Sequence, residues 1–224
     1  MTSLPPLIEG LIGYACLVFV ITVHESAHAW TADRCGDPTA RLLGRVTWNP
    51  LPHLDMIGTV LLPLLMFIGP AVGIGAFTGL LIGWGKPVPV DPRNFRNGMR
   101  DDMLVSFAGP LSNIVMAVVA LAVVRAALFV APQADLVHAA CGVVLLPMAQ
   151  LAFFLAFFNL IPLPPLDGSH LLRPLLGFEG RQVYDRIAQY GFIVLIILVN
   201  TRLFDLFAIA VGRLFAGLAA VFGL

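Results

Sequence analysis

Charged side chains are scarce in this sequence. Lys, Arg, Asp and Glu make up 12% of its 224 residues, whereas a soluble domain carries about 25%. A chain with half the usual charge cannot cover a water-facing surface, which excludes ordinary soluble, disordered and coiled-coil proteins. Hydrophobic residues account for 59% of the sequence and the mean hydropathy is +0.92. We therefore predict an integral membrane protein whose main surroundings are the lipid bilayer.

Net charge is also missing, because 13 basic residues balance 13 acidic ones. Without a basic surface, no nucleic-acid partner is expected. The three cysteines show no CxxC spacing, so neither a disulfide framework nor a thiolate zinc site is predicted. The first residues lack the basic region of a cleavable signal peptide, and we expect none.

Long apolar runs are what the sequence has instead. They lie near Leu7–Trp30, Met56–Trp84, Met103–Ala131, Val137–Ile161, Ile187–Val199 and Leu203–Leu224. The first four are long enough to cross a bilayer, and the last two are shorter. We predict an all-α polytopic membrane protein with about five to six transmembrane helices, folded as a single domain over residues 1–224.

The second apolar run is unusually rich in residues that break helices. These residues are Pro63, Gly69, Pro70, Gly73, Gly75 and Gly79. Basic loops flank the run on both sides, and a single crossing would separate them across the membrane, against the positive-inside tendency. A re-entrant hairpin or short broken segment near 56–84 would instead leave ten of the 13 basic residues in the cytoplasm. We favour the hairpin, which also places outside the loop around Pro132–Asp135, which has no Lys or Arg.

Residues 24–28 read HESAH, which fits the pattern HExxH. On a helix, positions i and i+4 share one face, so His24 and His28 can bind one metal ion. Glu25, next to the first histidine, can contact a metal-bound water. The motif ends an apolar run, where ionisable groups are costly unless they are functional. The alternative is a pair of interfacial histidines near a helix end.

A catalytic zinc site needs a third protein ligand. The best candidate is Asp167 in the sequence NLIPLPPLDG at Asn159–Gly168, where we expect a proline-stiffened extended segment to follow a span. The alternative is that Asp167 caps nearby amides. The hairpin topology favours the ligand role, because it brings Asp167 to the same membrane face as His24 and His28.

With these motifs the chain resembles the site-2 proteases, which are intramembrane zinc metalloproteases. It is similar to their compact prokaryotic type, which has neither PDZ nor CBS domains. The matching sequences are HExxH at residues 24–28, NxxPxPxxDG at 159–168, HLD at 53–55, GWGKPVPV at 83–90 and AGPLSN at 108–113. The core motifs thus span residues 13–168, and residues 183–224 supply C-terminal helices.

The resemblance implies one zinc ion per chain, held by His24, His28 and Asp167, with Glu25 as general base. It also implies single-span membrane-protein substrates, cut within or near the membrane. The active site would face the cytoplasmic side of a multi-pass protein in the cell membrane. Asn159 and His53 are weaker candidates for contact with the substrate or with the metal ligands. An interhelical hydrogen bond for Asn159 and a surface position for His53 are the alternatives.

Two other functions fit the same three ligands. One is a membrane transporter for a divalent cation, which predicts polar residues along a path across the membrane and often an internal repeat. This sequence has no repeat, and its ionisable residues cluster towards one face. The other is a non-catalytic membrane scaffold, which need not retain Glu25 together with all three ligands. We therefore favour the protease.

Overall fold

The computed structural model of the chain describes residues 5–63, 65 and 85–224. Within those ranges the regular structure is helical, with no β-strand. The α-helices, in chain order, are α1 (Pro6–Cys35), α2 (Thr39–Leu42), α3 (Met99–Val130), α4 (Asp135–Ala140), α5 (Leu146–Asn159), α6 (Gly168–Leu172), α7 (Phe178–Ala188), α8 (Gly191–Val199) and α9 (Arg202–Val221). Short 3₁₀ turns lie at Leu51–His53, Pro92–Asn94 and Arg173–Leu175, and π-helical turns at Met56–Leu61 and Cys141–Leu145.

Among the described residues, four helical segments are long and apolar enough to cross a membrane. They are Leu7–Cys35, Met99–Val130, Asp135–Asn159 and Arg202–Val221. Helices α7 and α8, bent by 73° at the break between them, make a fifth if they count as one span. The prediction of an all-α polytopic membrane protein is confirmed, with four or five spans in the described part of the chain where about five to six were expected in all. Of the hairpin predicted near 56–84, only residues 56–63 and 65 are described, and the rest of that prediction lies outside the described residues.

Helix α1 is longer than the apolar run that predicts it. Pro6 begins it, a position where the missing N–H costs no hydrogen bond. It ends at Cys35 and is capped by Gly36, whose φ of 111° lets its N–H reach the carbonyls of Ala32 and Asp33. The polar residues after Trp30 end the apolar run but not the helix. The HESAH motif therefore lies inside a continuous helix, which fixes the spacing of its side chains.

Helices α1, α3 and α5 pack closely through small side chains. Val20 of α1, Ala117 of α3 and Ala152 of α5 are fully buried in one cluster, which Val211 of α9 joins from the side. Alanine at such contacts lets helix backbones approach closely in a membrane. This packing holds α1 and α3 side by side, and the site described below lies between them.

The chain after α5 folds into consecutive turns, so the expected extended segment is wrong. The N–H of Leu163 bonds to the carbonyl of Ile161, and that of Leu166 bonds to the carbonyl of Leu163. Proline suits such turns as well as it suits extended backbone. A side chain at Gly168 would come within 3.0 Å of the Leu160 and Ile161 carbonyls. Glycine thus permits the compact return that brings the preceding residue back towards the helix end.

One buried carboxylate forms hydrogen bonds to two segments of the chain that follow α1. Asp37 is fully buried and accepts hydrogen bonds from the N–H of Thr39 at 3.1 Å, the N–H of Asp91 at 2.8 Å and the amide of Asn94 at 2.9 Å. Burial alone would raise the pKa of Asp37, but these hydrogen bonds hold it below its usual value. The segment leading into Asp91 is therefore fixed beside the end of α1.

Replacing this carboxylate should destabilise the protein. Asp37→Ala leaves several buried N–H groups without an acceptor, and we expect the free energy of unfolding to fall by about 2–4 kcal/mol. Because the pKa of Asp37 is lowered by folding, its contribution is present above the unfolded pKa of about 3.9 and lost as the pH falls through the lower folded value. Denaturant unfolding in detergent at neutral and acidic pH measures both effects. Arg93→Ala, which breaks an exposed ion pair with Asp91, is the control, and an equal loss in that variant would contradict the role of Asp37.

Candidate metal centre

Three candidate ligands meet between the helices. Helix α1 places His24 and His28 one turn apart, both buried, with their Nε2 atoms 3.1 Å from each other. The turn before α6 brings Oδ2 of Asp167 to 3.1 Å from Nε2 of His24 and 3.3 Å from Nε2 of His28. In the described part of the chain, this is the one group of three such residues whose ligand atoms converge.

The triangle of atoms has the size that zinc requires. Bonds of about 2.0–2.1 Å in a tetrahedral site keep the ligand atoms about 3.3 Å apart, which agrees with the separations of 3.1–3.3 Å here. The Nδ1 atom of His28 lies 2.7 Å from the carbonyl of Val105, so it donates its proton there and leaves Nε2 free for a metal. Oδ2 of Asp167 is buried and accepts no well-aligned hydrogen bond from the described residues, although it faces both imidazoles. The donor set therefore fits a zinc ion.

The charge of Asp167 also suits a metal ligand. Burial alone would raise its pKa, but the neighbouring imidazoles of His28 and His24 hold it well below its usual range. The carboxyl group is thus ionised at neutral pH. Although Asp167 directly precedes α6, its side chain caps no amide of that helix, so the capping role that the sequence left open is not the one observed.

Helix α3 leaves no room for a side chain where it faces the two histidines. A Cβ atom at Gly109 would lie 2.6 Å from Nε2 of His24 and closer still to Nε2 of His28. Such distances are well inside van der Waals contact. The backbone of α3 therefore packs directly against the imidazoles, which holds both rings in place. Within AGPLSN, sequence reasoning assigned no role at the site to this glycine.

Glu25 follows the candidate ligand His24 in α1 and contacts a second stretch of backbone. Its half-buried carboxylate accepts a hydrogen bond from the N–H of Val88 at 3.2 Å. Arg45 holds the same stretch by donating from Nη2 to the carbonyls of Lys86 and Pro87, at 2.6 and 2.7 Å. This hydrogen bond fixes one oxygen of the carboxylate, Oε2, beside the backbone of Val88.

His53 is buried beneath this region rather than exposed in a loop. Its Nε2 atom lies 3.0 Å from the carbonyl of Thr47 and 3.3 Å from Oγ of Ser26, and its own carbonyl accepts the N–H of Lys86. Burial and the nearby charge of Arg45 lower the pKa of His53, so its ring is neutral at physiological pH. His53 supports the backbone next to Glu25 and is not one of the three candidate ligands.

Asn159 ends helix α5 just before the turns that lead to Asp167. Its Nδ2 group donates to the carbonyl of Leu155 in the same helix, at 3.0 Å. Among the described residues, the side chain of Asn159 therefore bonds within its own helix and not to another one, as the sequence had left open. Its side chain is half-buried.

A family model and individual known proteins both match the chain, and both are named as peptidases. The sequence model of peptidase family M50 matches residues 12–134 and 127–200. The chain is 35% identical over 207 residues to "Putative zinc metalloprotease YwhC" of Bacillus subtilis, covering 87% of this chain and 83% of that protein. It is 30% identical over 184 residues to "Putative zinc metalloprotease Rip2" of Mycolicibacterium smegmatis, covering 81% of this chain but 63% of that protein.

A more distant similarity connects the chain to a longer protease. It is 27% identical over 110 residues to "Regulator of sigma E protease" of Haemophilus influenzae, which covers 46% of this chain and 23% of that protein. No solved structure matches the chain.

Proposed function

Because the chain belongs to peptidase family M50, we propose that it cuts peptide bonds within or near the membrane-spanning segments of other membrane proteins. The chain is a zinc metalloendopeptidase and a multi-pass membrane protein. We propose in addition where it cuts, which class of protein it cuts and which residues carry out the chemistry.

One observation carries the proposal, namely that metal-binding side chains converge where membrane-crossing helices meet. His24 and His28 belong to the span Leu7–Cys35, and Asp167 follows the span Asp135–Asn159. Ionisable groups in such a position are costly unless they are paired or functional. This convergence supports one zinc ion per chain, held by these three residues.

Metal binding and proton transfer are carried out by different residues of the chain. A zinc ion, when bound, supplies a Lewis acid that polarises the scissile carbonyl and acidifies the attacking water. His24, His28 and Asp167 hold that ion. Glu25 accepts a proton from the attacking water and returns it to the leaving amine. The hydrogen bond from Val88 keeps one oxygen of Glu25 fixed, so the other is pre-oriented for this transfer.

Two further residues are proposed to support the reaction without binding the metal. His53 positions the backbone of residues 86–88 beside Glu25, through its bonds to Thr47 and Lys86. Asn159 lies at the end of α5, eight residues before Asp167, where it can contact the substrate or the ligands. Neither residue would be needed for zinc to bind.

We further propose that the site faces the cytoplasm. The loops at this end of the bundle carry most of the basic residues, as expected for cytoplasmic loops. Residues 1–224 would act as one membrane protease domain, with core motifs in 13–168 and C-terminal helices in 183–224. A single-span helix is the substrate class that can approach such a site from the bilayer, provided that it unwinds locally to expose a peptide bond.

The direct test is cleavage in liposomes. The purified protein is reconstituted with tagged single-span proteins, half of which carry glycine and asparagine in the cytoplasmic third of the helix to ease unwinding. We expect a cut in that third, lost on treatment with 1,10-phenanthroline and restored by added zinc. If the zinc-loaded protein cuts none of them, or cuts water-soluble peptides of the same sequence equally well, the intramembrane proposal is wrong.

A further inference from the structure

The two histidines differ in what their outer ring nitrogens contact. Nδ1 of His28 faces the Val105 carbonyl, which can only accept a hydrogen bond, so its proton position is settled. Nδ1 of His24 faces a side-chain amide instead, with Nδ2 of Asn113 at 3.1 Å. An amide can present either a donor or an acceptor, so the proton position on His24 depends on how Asn113 is turned.

Asn113 is fully buried, and its Oδ1 atom has no hydrogen-bond partner among the described residues. Rotation of the amide by 180° exchanges Oδ1 and Nδ2 without changing the shape of the side chain. The number of hydrogen bonds stays the same, because the atom without a partner is then Nδ2. The tautomer of His24 therefore decides between the two orientations.

Each orientation of the amide goes with one tautomer of His24. With Nδ2 towards the ring, Nδ1 must accept, and the ring proton sits on Nε2, aimed at Asp167 Oδ2 at 3.1 Å. A protonated Nε2 cannot bind a metal. With Oδ1 towards the ring, Nδ1–H donates to the amide oxygen, and the lone pair of Nε2 is free.

We propose that Asn113 is a positioning residue for the metal centre, whose Oδ1 accepts the Nδ1 proton of His24 whenever Nε2 of that ring binds the metal. The inference rests on the proposed function, because it requires His24 to be a ligand. Asn113 acts through His24 and does not touch the metal. In the same way, the Val105 carbonyl accepts the Nδ1 proton of His28.

The position of Asn113 on α3 supports this role. It lies four residues after Gly109, on the same face of the helix, and Gly109 is where the backbone of α3 packs against both imidazoles. Close packing at the glycine sets the distance between the helices, and the amide one turn later meets the outer edge of the His24 ring. The AGPLSN sequence thus supplies both contacts from one helix.

The test compares zinc affinity in variants that keep or remove the acceptor. Asn113→Leu has a similar size but no polar atom, and we expect its zinc affinity to fall about 10–100-fold, the usual effect of losing an outer hydrogen-bond partner. Asn113→Asp presents only acceptor atoms, and its affinity should stay close to that of the wild type. Competition against a zinc-binding dye in detergent measures all of them, and Ser112→Ala, which removes a hydroxyl bonded within α3, is the control.

The outcomes separate this proposal from the proposed function. Wild-type affinity in Asn113→Leu, or a loss in Asn113→Asp as large as in Asn113→Leu, would overturn the positioning role. If Asn113→Leu does not fold, as judged by thermal unfolding of the zinc-free protein, Asn113→Ala replaces it with the same expected weakening. His24→Ala is measured in parallel. If His24→Ala keeps wild-type zinc affinity, the assignment of His24 as a ligand is wrong. If His24→Ala loses zinc while Asn113→Leu keeps it, the proposed function stands and only the positioning role of Asn113 is wrong.

Discussion

Replacing Glu25 by glutamine should abolish peptide hydrolysis while leaving the metal in place. Glutamine has nearly the same size and keeps an oxygen that can accept the hydrogen bond from Val88, so the local structure should persist. It cannot take a proton from water at neutral pH. The loss of a general base is worth about 10²–10⁴-fold in rate. Cleavage of a reconstituted single-span substrate and zinc content per chain are the two measurements.

Comparison with Glu179→Gln controls for the general effect of removing a carboxylate. Glu179 is exposed in the first turn of α7, away from the candidate ligands in sequence, so cleavage and zinc content should both stay at wild-type values. A Glu25→Gln variant that still cleaves would contradict the assignment of the base. The same measurement distinguishes the protease from a cation transporter, for which hydrolysis has no role and zinc binding alone would be seen.

The helical framework could be predicted from composition and apolar runs because a bilayer permits few other solutions. Every backbone polar group in the hydrocarbon core needs an internal partner, so apolar runs of sufficient length become helices. The ends were less predictable: α1 continues to Cys35 although its apolar run stops at Trp30. The prolines between Asn159 and Asp167 predicted extended backbone, but proline is equally suited to turns, and Gly168 allows the chain to fold back tightly.

At the site, the side chains could largely be predicted from the sequence, whereas the backbone contacts could not. The spacing in HESAH was enough to expect His24 and His28 on one helix face, and topology was enough to expect Asp167 near them. The Val105 carbonyl that orients His28 carries no sequence signal, because every residue has such a carbonyl. Gly109 and Asn113 were visible within AGPLSN, but only the distances between α3 and α1 show what each one contacts.

Replacing Asp167 by alanine should abolish hydrolysis as Glu25→Gln does, but through loss of the bound zinc rather than loss of the general base. Two imidazoles alone hold zinc far more weakly than three protein ligands, and we expect affinity to fall by more than the 10–100-fold typical of losing an outer partner. Hydrolysis should disappear with the metal. Zinc content after dialysis against a weak chelator, in wild type and variant, measures this directly.

Asp185→Ala is the matched control, because Asp185 is an exposed carboxylate of α7 whose Oδ1 pairs with Nε of Arg173, in the preceding 3₁₀ turn, at 2.7 Å. Its zinc content should equal that of the wild type. If Asp167→Ala holds zinc as tightly as the wild type, the third ligand is wrong, and the topology that brings this residue to the face of His24 loses its support. Glu25→Gln should be inactive with zinc bound, whereas Asp167→Ala should be inactive because it has lost zinc. Neither general unfolding nor a purely structural metal would produce this pair of results.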